Sequence, residues 1–250
     1  MKLSKDNLQK IYEGKTKDVY QYSDDKILLY TKDETTGWWK NDSLGNRYFE
    51  EDPGGNEVGP AVAGMGQKNL ISSDYYFKKF VEAGIPTHYI SCDIDENLML
   101  VKLGKVLGQG LECIIRFYAM GSLLRRFPGE YTEGQPLNDF FETTLKSDAD
   151  NDPPITKEEL VSKEMITESQ YDNMRKICHD AATVIQRDLK EANLTLVDIK
   201  FEVGITHGEI VLIDEVSAGV MRVAKGDVST AHILNEDQLA EILVARATSL

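Results

Sequence analysis

Val197-Asp198-Ile199-Lys200-Phe201-Glu202-Val203 alternates apolar and charged residues without a break. Successive side chains of a strand point to opposite faces. Val197, Ile199, Phe201 and Val203 therefore share one face, fit for a core, while Asp198, Lys200 and Glu202 form a row on the other. The strand reads as 195–205. A short turn through His207-Gly208 leads into a second strand, 209–216, which carries Asp214-Glu215 near its end. A hairpin brings these acids beside the charged row. Carboxylates flanking a lysine suit Mg²⁺ with a nucleoside triphosphate, because Mg²⁺ takes a few hard oxygen ligands and lets phosphates complete its shell. A solvated strand face carries the same pattern, and on these residues alone both readings stand.

The hairpin follows a helical region. Thr156-x-x-Glu159 and Thr167-x-x-Gln170 are capping boxes that open two helices. The second runs to about Glu191, with Tyr171, Met174, Ile177, Ala181, Val184, Ile185 and Leu189 as its buried stripe. Asn235 can cap a final helix carrying Leu239, Ile242 and Leu243. Toward the N-terminus the chain reads as short strands at 10–12, 18–22 and 26–31, then 88–91, 97–102 and 111–118, with 104–110 as a connection. One helix, 72–83, lies among them and stops at Gly84. Strands grouped with few helices indicate α+β organisation, not βαβ repeats. Residues 33–66 lose periodicity and hold seven of the 19 glycines. That stretch reads as a long irregular insertion, either a binding loop or lid or a surface excursion. The domain seam falls near 104–114, giving an N-terminal lobe of 1–104 and a C-terminal lobe of 105–250.

Composition narrows the partners. The 250 residues carry 28 basic and 42 acidic side chains, a net charge of −14. Such a body repels nucleic acids and anionic membranes, so neither is expected as a partner. No apolar run reaches transmembrane length and no signal-peptide core follows Met1. Three scattered cysteines, Cys92, Cys113 and Cys178, give no disulfide framework or zinc spacing. The four histidines show no metal spacing either. The expectation is a reduced, cytoplasmic protein that handles small molecules, and a homo-oligomer is allowed.

Two further stretches bear chemistry. Glu13-Gly14-Lys15-Thr16-Lys17 is not a P-loop, since Gln9 stands where that pattern needs its first glycine and a strand, not a helix, follows. A glycine turn with two lysines between strands suits phosphate cover, as it suits an ordinary hairpin. Arg116-Phe117-Tyr118-Ala119-Met120-Gly121-Ser122, followed by Arg125-Arg126, makes a basic anion cradle or, equally, a capped helix start.

Taken together and in order, these sites resemble the SAICAR synthetase family. The matching segments are Tyr12-Glu13-Gly14-Lys15-Thr16-Lys17-Asp18-Val19-Tyr20, Glu82-Ala83-Gly84-Ile85-Pro86-Thr87 and Gly121-Ser122-Leu123-Leu124-Arg125-Arg126. Further on come Asn151-Asp152-Pro153-Pro154-Ile155-Thr156, Leu196 through Gly204, and Ile213-Asp214-Glu215-Val216-Ser217. The resemblance implies a two-lobed α+β fold, with an ATP cleft between an N-terminal mainly β lobe and a C-terminal α+β lobe. It implies an ATP-dependent ligase joining carboxyaminoimidazole ribonucleotide (CAIR) and L-aspartate through an acyl phosphate, giving SAICAR, ADP and phosphate in purine biosynthesis.

By position, the resemblance assigns Gly14, Lys15, Lys17, Lys102 and Glu202 to ATP, and Glu202 and Asp214 to Mg²⁺. Arg116, Ser122 and Arg222 would hold the ribonucleotide phosphate. Lys146 and Asp152 would lie near the substrates, and Asp198 and Lys200 at the reacting centre. The chain departs from many members at Tyr118, where a second arginine is common, and at Gly219, where an acid is common. Its insertion around Asp52 is also longer. A paralogous amide ligase with another acid or amine is the nearest alternative. A small-molecule kinase and a non-catalytic nucleotide binder are more distant ones.

Overall fold

The computed structural model describes residues 2–53, 55–147 and 152–249. Gly54 of the insertion and Asn151 of the Asn151-Asp152-Pro153-Pro154 match lie outside them.

The first sheet is antiparallel, with β1 (Lys10–Glu13), β2 (Lys17–Ser23), β3 (Lys26–Thr31), β7 (Tyr89–Asp93) and β8 (Leu98–Lys102) in the order β1-β2-β3-β8-β7. The insertion is ordered into a second, small sheet, which corrects the expectation of an aperiodic loop. It consists of β4 (Glu34–Asn41), β5 (Arg47–Glu51) and β6 (Glu57–Ala61), in the order β5-β4-β6. Its strands are mostly exposed, so burial imposes little alternation on them. Asp42 turns the hairpin by accepting the Leu44 and Asn46 N–H groups, each at 2.8 Å. Trp39 meets Phe49 edge to face across the strands.

The third sheet is built on β12 (Thr195–Thr206), long enough to take two partners along each edge. β10 (Leu111–Tyr118) and the short β9 (Lys105–Val106) lie on one side. β13 (Glu209–Ile213) and β14 (Met221–Ala224) lie on the other, and β11 (Pro136–Leu145) continues beyond β10. The expected face split holds from Asp198 to Val203, with Ile199, Phe201 and Val203 in the main core at no more than 2% exposure. It fails at Val197: the register shifts between Leu196 and Asp198, so Leu196 joins that core and Val197 packs in a separate small cluster with Met120 and Ala224.

Helix α1 (Met65–Glu82) starts seven residues before the expected Ser72. Its N-cap, Gly64, offers no side chain. Instead Asp33, far back in the chain, accepts the Gly64 and Gly66 N–H groups at 3.1 and 2.9 Å. A short α2 (Ser122–Arg126) follows the basic stretch. α3 (Lys157–Ser162), α4 (Glu168–Glu191) and α5 (Glu236–Thr248) all begin with complete capping boxes, from Thr156, Thr167 and Asn235. α4 packs on β10, β12 and β13, and α1 packs on α5 and α4. One core runs unbroken from Leu29 and Phe77 beside the first sheet to Phe201 and Leu243. Among the described residues no helix is long and apolar enough to cross a membrane.

The Thr167 box opens the helix that covers the third sheet. Thr167→Ala removes the side-chain acceptor for the Gln170 N–H. We expect it to lower stability by about 1 kcal/mol, read as an earlier urea midpoint with an unchanged slope. An unmoved midpoint would mean that water caps this end equally well.

Candidate active site

A cleft of about 530 Å³ opens between the three sheets, a size that suits a small-molecule site. Its floor is the polar face of the third sheet. Cross-strand register sets Arg116 opposite Asp198, Ile114 opposite Lys200 and Glu112 opposite Glu202. On the next strand Thr144 pairs with Glu112, and Glu142 with Ile114. Neighbours in register on one face lie within reach of each other, so β10, β11 and β12 together present one sheet of charge.

The charges interlock. Lys200 donates to Glu112 at 3.0 Å and lies 3.7 Å from Glu202, which also receives Lys146 at 2.7 Å. β13 ends at Ile213, paired with Glu202, and Asp214 follows in the left-handed region at φ 69°. That turn aims Asp214 and Glu215 at Lys17 of β2, which sits 3.2 Å from Asp214 and is bonded to Glu215. Burial works to lower the pKa of Lys17, but Asp214 and Glu215 outweigh it and hold the pKa above the ordinary lysine value. For Lys200 burial is likewise outweighed, by Glu112, Glu202 and Asp214. Burial would raise Asp214, yet Lys17, Lys146 and Lys200 bring it down to about 2. At neutral pH the floor therefore holds fixed cations and a fixed carboxylate.

At the N-terminal side, Gly14 turns tightly. Its N–H donates to the Lys17 carbonyl at 2.7 Å, and Lys32 donates to the Gly14 carbonyl at 2.7 Å. A Cβ at residue 14 would stand 2.7 Å from that Lys17 oxygen. Lys15 reaches Asn56 of the insertion at 3.5 Å. Val19 and Leu29 add an apolar wall.

At the opposite end lies a guanidinium cluster. Arg116 is 1% exposed. Its Nε donates to Glu142 at 2.8 Å, and Nη1 donates to Asp198 at 2.8 Å and to the Met120 carbonyl at 3.4 Å. Nη2 donates to Ser122 at 2.8 Å and to Glu142 at 2.5 Å. All five guanidinium hydrogens are thus engaged within the protein. Arg116, which the resemblance assigns to the ribonucleotide phosphate, links Ser122 and Asp198 in the cleft wall. Arg222 donates through Nη1 to both Asp198 oxygens, at 3.0 and 2.8 Å, and through Nη2 to Asp52. Gly121, at φ 63°, lets Arg222 in, since a Cβ there would lie 2.8 Å from the guanidinium carbon. Arg126 bonds Glu142, and Arg125 lies 3.9 Å from Asp52.

Gly14, Lys15, Lys17, Glu202, Arg116, Ser122, Lys146, Asp152, Asp198, Lys200, Asp214 and Arg222 thus all line one cleft. Lys102 does not. It pairs across from Lys26 in the first sheet and directs its ammonium to the Thr87 carbonyl at 3.3 Å. Sequence reading missed Glu112 and Glu142, although the alternation of β10 and β11 would have set Glu112 beside Arg116 on one face. It also missed Asn56, which enters the cleft from the link between β5 and β6 and donates to Asp152 at 2.7 Å, and Asp52 of the same link, which pairs with Arg222. Local pattern gives no sign of such a contact.

Among the described residues no group of three or more His, Cys, Asp or Glu side chains forms a ready metal cage. Two hard carboxylates, Glu202 and Asp214, in a cleft lined by Lys15, Lys17, Lys146 and Lys200 do fit an ion that arrives with a triphosphate, because Mg²⁺ uses one or two protein carboxylates there.

The family model described as SAICAR synthetase matches residues 56–238. A phosphoribosylaminoimidazole-succinocarboxamide synthase from Clostridium tetani is 39% identical over 217 residues, spanning 86% of this chain and 92% of the relative. One from Methanopyrus kandleri is 32% identical over 231 residues, spanning 91% and 84%. Among solved structures, a SAICAR synthetase in complex with ADP superposes with a TM-score of 0.75 at 27% identity, over 94% of this chain and 93% of the other. A SAICAR synthetase from Pyrococcus horikoshii gives 0.76 at 25% identity, over 94% and 98%.

Proposed function

The chain belongs to the SAICAR synthetase family, and from that premise we propose how its own residues share the reaction. The activity is ATP-dependent ligation of CAIR with L-aspartate to SAICAR, ADP and phosphate, and in our reading the CAIR carboxylate is first activated as an acyl phosphate. The observation that carries the assignment of roles is the charged floor, on which lysines from three strands or strand ends converge with the acids of β12 and the Asp214 turn.

Dividing the chain at 104, we assign the nucleotide to the cleft wall of the N-terminal lobe and the other substrates to residues 105–250. The Gly14 turn lets backbone approach phosphate, with Lys15 and Lys17 supplying charge and Val19 and Leu29 an apolar seat for the base. Glu202 and Asp214 would hold Mg²⁺, which when bound draws charge off the phosphate oxygens. Lys200 and Lys146 face the CAIR carboxylate and counter the negative charge that builds as it attacks the γ-phosphorus. Asp198, fixed between Arg116 and Arg222, and Asp152, held by Asn56, border the ribonucleotide.

The ribonucleotide phosphate falls to Arg222, Arg125 and Ser122. Ser122 accepts from Arg116 and so keeps its own O–H to donate. Arg222→Lys should raise the KM for CAIR roughly ten- to 150-fold, about 1.5–3 kcal/mol, with the KM for ATP nearly unchanged. Lysine keeps the charge but loses the planar fork that meets Asp198 and phosphate together. A rise in the ATP KM instead would reverse the placement of the two ligands.

An acyl phosphate has an isotopic signature. CAIR labelled with ¹⁸O in its carboxylate should deliver one labelled oxygen to inorganic phosphate, read by mass spectrometry. Phosphate emerging without label would rule out activation of that carboxylate.

A further inference from the structure

Glu236 is a cleft carboxylate that the roles above leave unused. It is the first residue of α5, and its backbone N–H lies 3.4 Å from a Glu51 carboxylate oxygen. Oε1 accepts from Asn69 of α1 at 2.9 Å, the one hydrogen bond its carboxylate receives among the described residues. Oε1 also fills the space that a Cβ at Gly219 would take, 2.8 Å from that position.

The other acids of the cleft are answered. Asp214 and Glu215 face Lys17, Glu112 and Glu202 face Lys200, Asp198 faces two arginines, and Asp52 faces Arg222. Asp152 has no ion pair among the described residues but accepts two N–H donors, from Asn56 and Ser147. Glu236 has a single neutral donor and no ion pair among the described residues. A half-buried carboxylate placed so is short of a cation.

The reaction brings one cation that needs such a partner, because L-aspartate arrives as an ammonium ion and must lose a proton to attack. Resting on the ligase reading, we propose that Glu236 receives the ammonium of the amine substrate and takes its proton. One proton passes from R–NH₃⁺ to the Glu236 carboxylate. The freed nitrogen pair then forms the C–N bond to the acyl carbon while the C–O bond to phosphate breaks. The second nitrogen proton leaves with the phosphate, and Glu236 returns its own to solvent.

The electrostatic setting suits this task. Burial pushes the Glu236 carboxyl up to about 7, with Glu215 and Glu51 adding to the rise and Asn69 and Lys17 opposing it. Lys68 of α1, the other nearby cation, is taken by Asp237 and Glu241. A carboxylate tuned near neutrality is the kind that serves as a general base.

The test compares two nucleophiles, L-aspartate and hydroxylamine, the latter being uncharged at neutral pH and needing no proton acceptor. With Mg²⁺, ATP and CAIR present, Glu236→Gln should cut kcat/KM for L-aspartate at least about thirtyfold. Hydroxylamine-dependent ADP release and the KM values for ATP and CAIR should stay within about threefold. Glu236→Asp should restore part of the aspartate activity. In the wild-type protein the aspartate rate should fall on the acid side of about pH 7, and the Gln variant should lose that limb. Equal loss with both nucleophiles would make Glu236 structural, and loss with neither would make it a bystander. Either result overturns the proposal. Absence of any nucleophile-dependent ADP release from the wild-type protein would instead bring down the ligase reading and this proposal with it.

Discussion

Asp214→Asn should lower turnover at least about a hundredfold, ~2.7 kcal/mol of barrier, and leave the fold intact. Asparagine tolerates the left-handed backbone at φ 69°, so the exchange removes charge and little else. That charge is present at every working pH, because Lys17, Lys146 and Lys200 outweigh burial and hold the carboxyl at about 2. Without it the cleft loses a hard oxygen for Mg²⁺ and the three lysines lose a common counterion. Glu202→Gln should act in the same direction, since Glu202 is the second metal-side acid and also receives Lys146 and Lys200. If Asp214→Asn melts like wild type and turns over within about threefold, ~0.7 kcal/mol, the acid merely balances local charge.

The second large effect is on stability. Arg116, Arg126 and Arg222 interlock with Asp198, Glu142 and Asp52, three guanidiniums against three carboxylates. Arg116→Met leaves this buried group one cation short. Removing one partner of a buried ion pair costs about 3–5 kcal/mol, which for a chain of this size corresponds to roughly 6–20 °C in melting temperature. Adding Asp198→Asn should recover part of the loss by neutralising one stranded carboxylate, although turnover would stay low. A shift under about 2 °C for Arg116→Met would mean that water reaches the cluster and screens it.

Much of this architecture is legible in the sequence. The alternation from Asp198 to Val203 sorted the faces of β12, because a half-buried strand must sort its side chains by polarity, but it gave no sign of the register shift that takes Val197 out of the main core. The boxes at Thr156 and Thr167 and the cap at Asn235 marked three helix starts, because capping is local. What escaped was non-local. The start of α1 depends on Asp33, some thirty residues upstream. The small sheet carries mostly exposed strands, so burial left no periodic trace in residues 33–66. Glu142 and Glu236 acquire meaning only from partners on other elements, Arg116 for one and Gly219 for the other. Lys102 is the reverse case: the resemblance set it with the nucleotide, whereas its ammonium meets the Thr87 carbonyl and does not line the cleft.

By this mechanism the cleft couples ATP cleavage to amide formation between CAIR and L-aspartate. The most direct measurement is steady-state ADP release with Mg²⁺, ATP, CAIR and L-aspartate together, and again with each omitted in turn. Sustained release is expected only from the complete mixture, with SAICAR formed in equal amount. Undiminished release without CAIR or without L-aspartate would contradict the account.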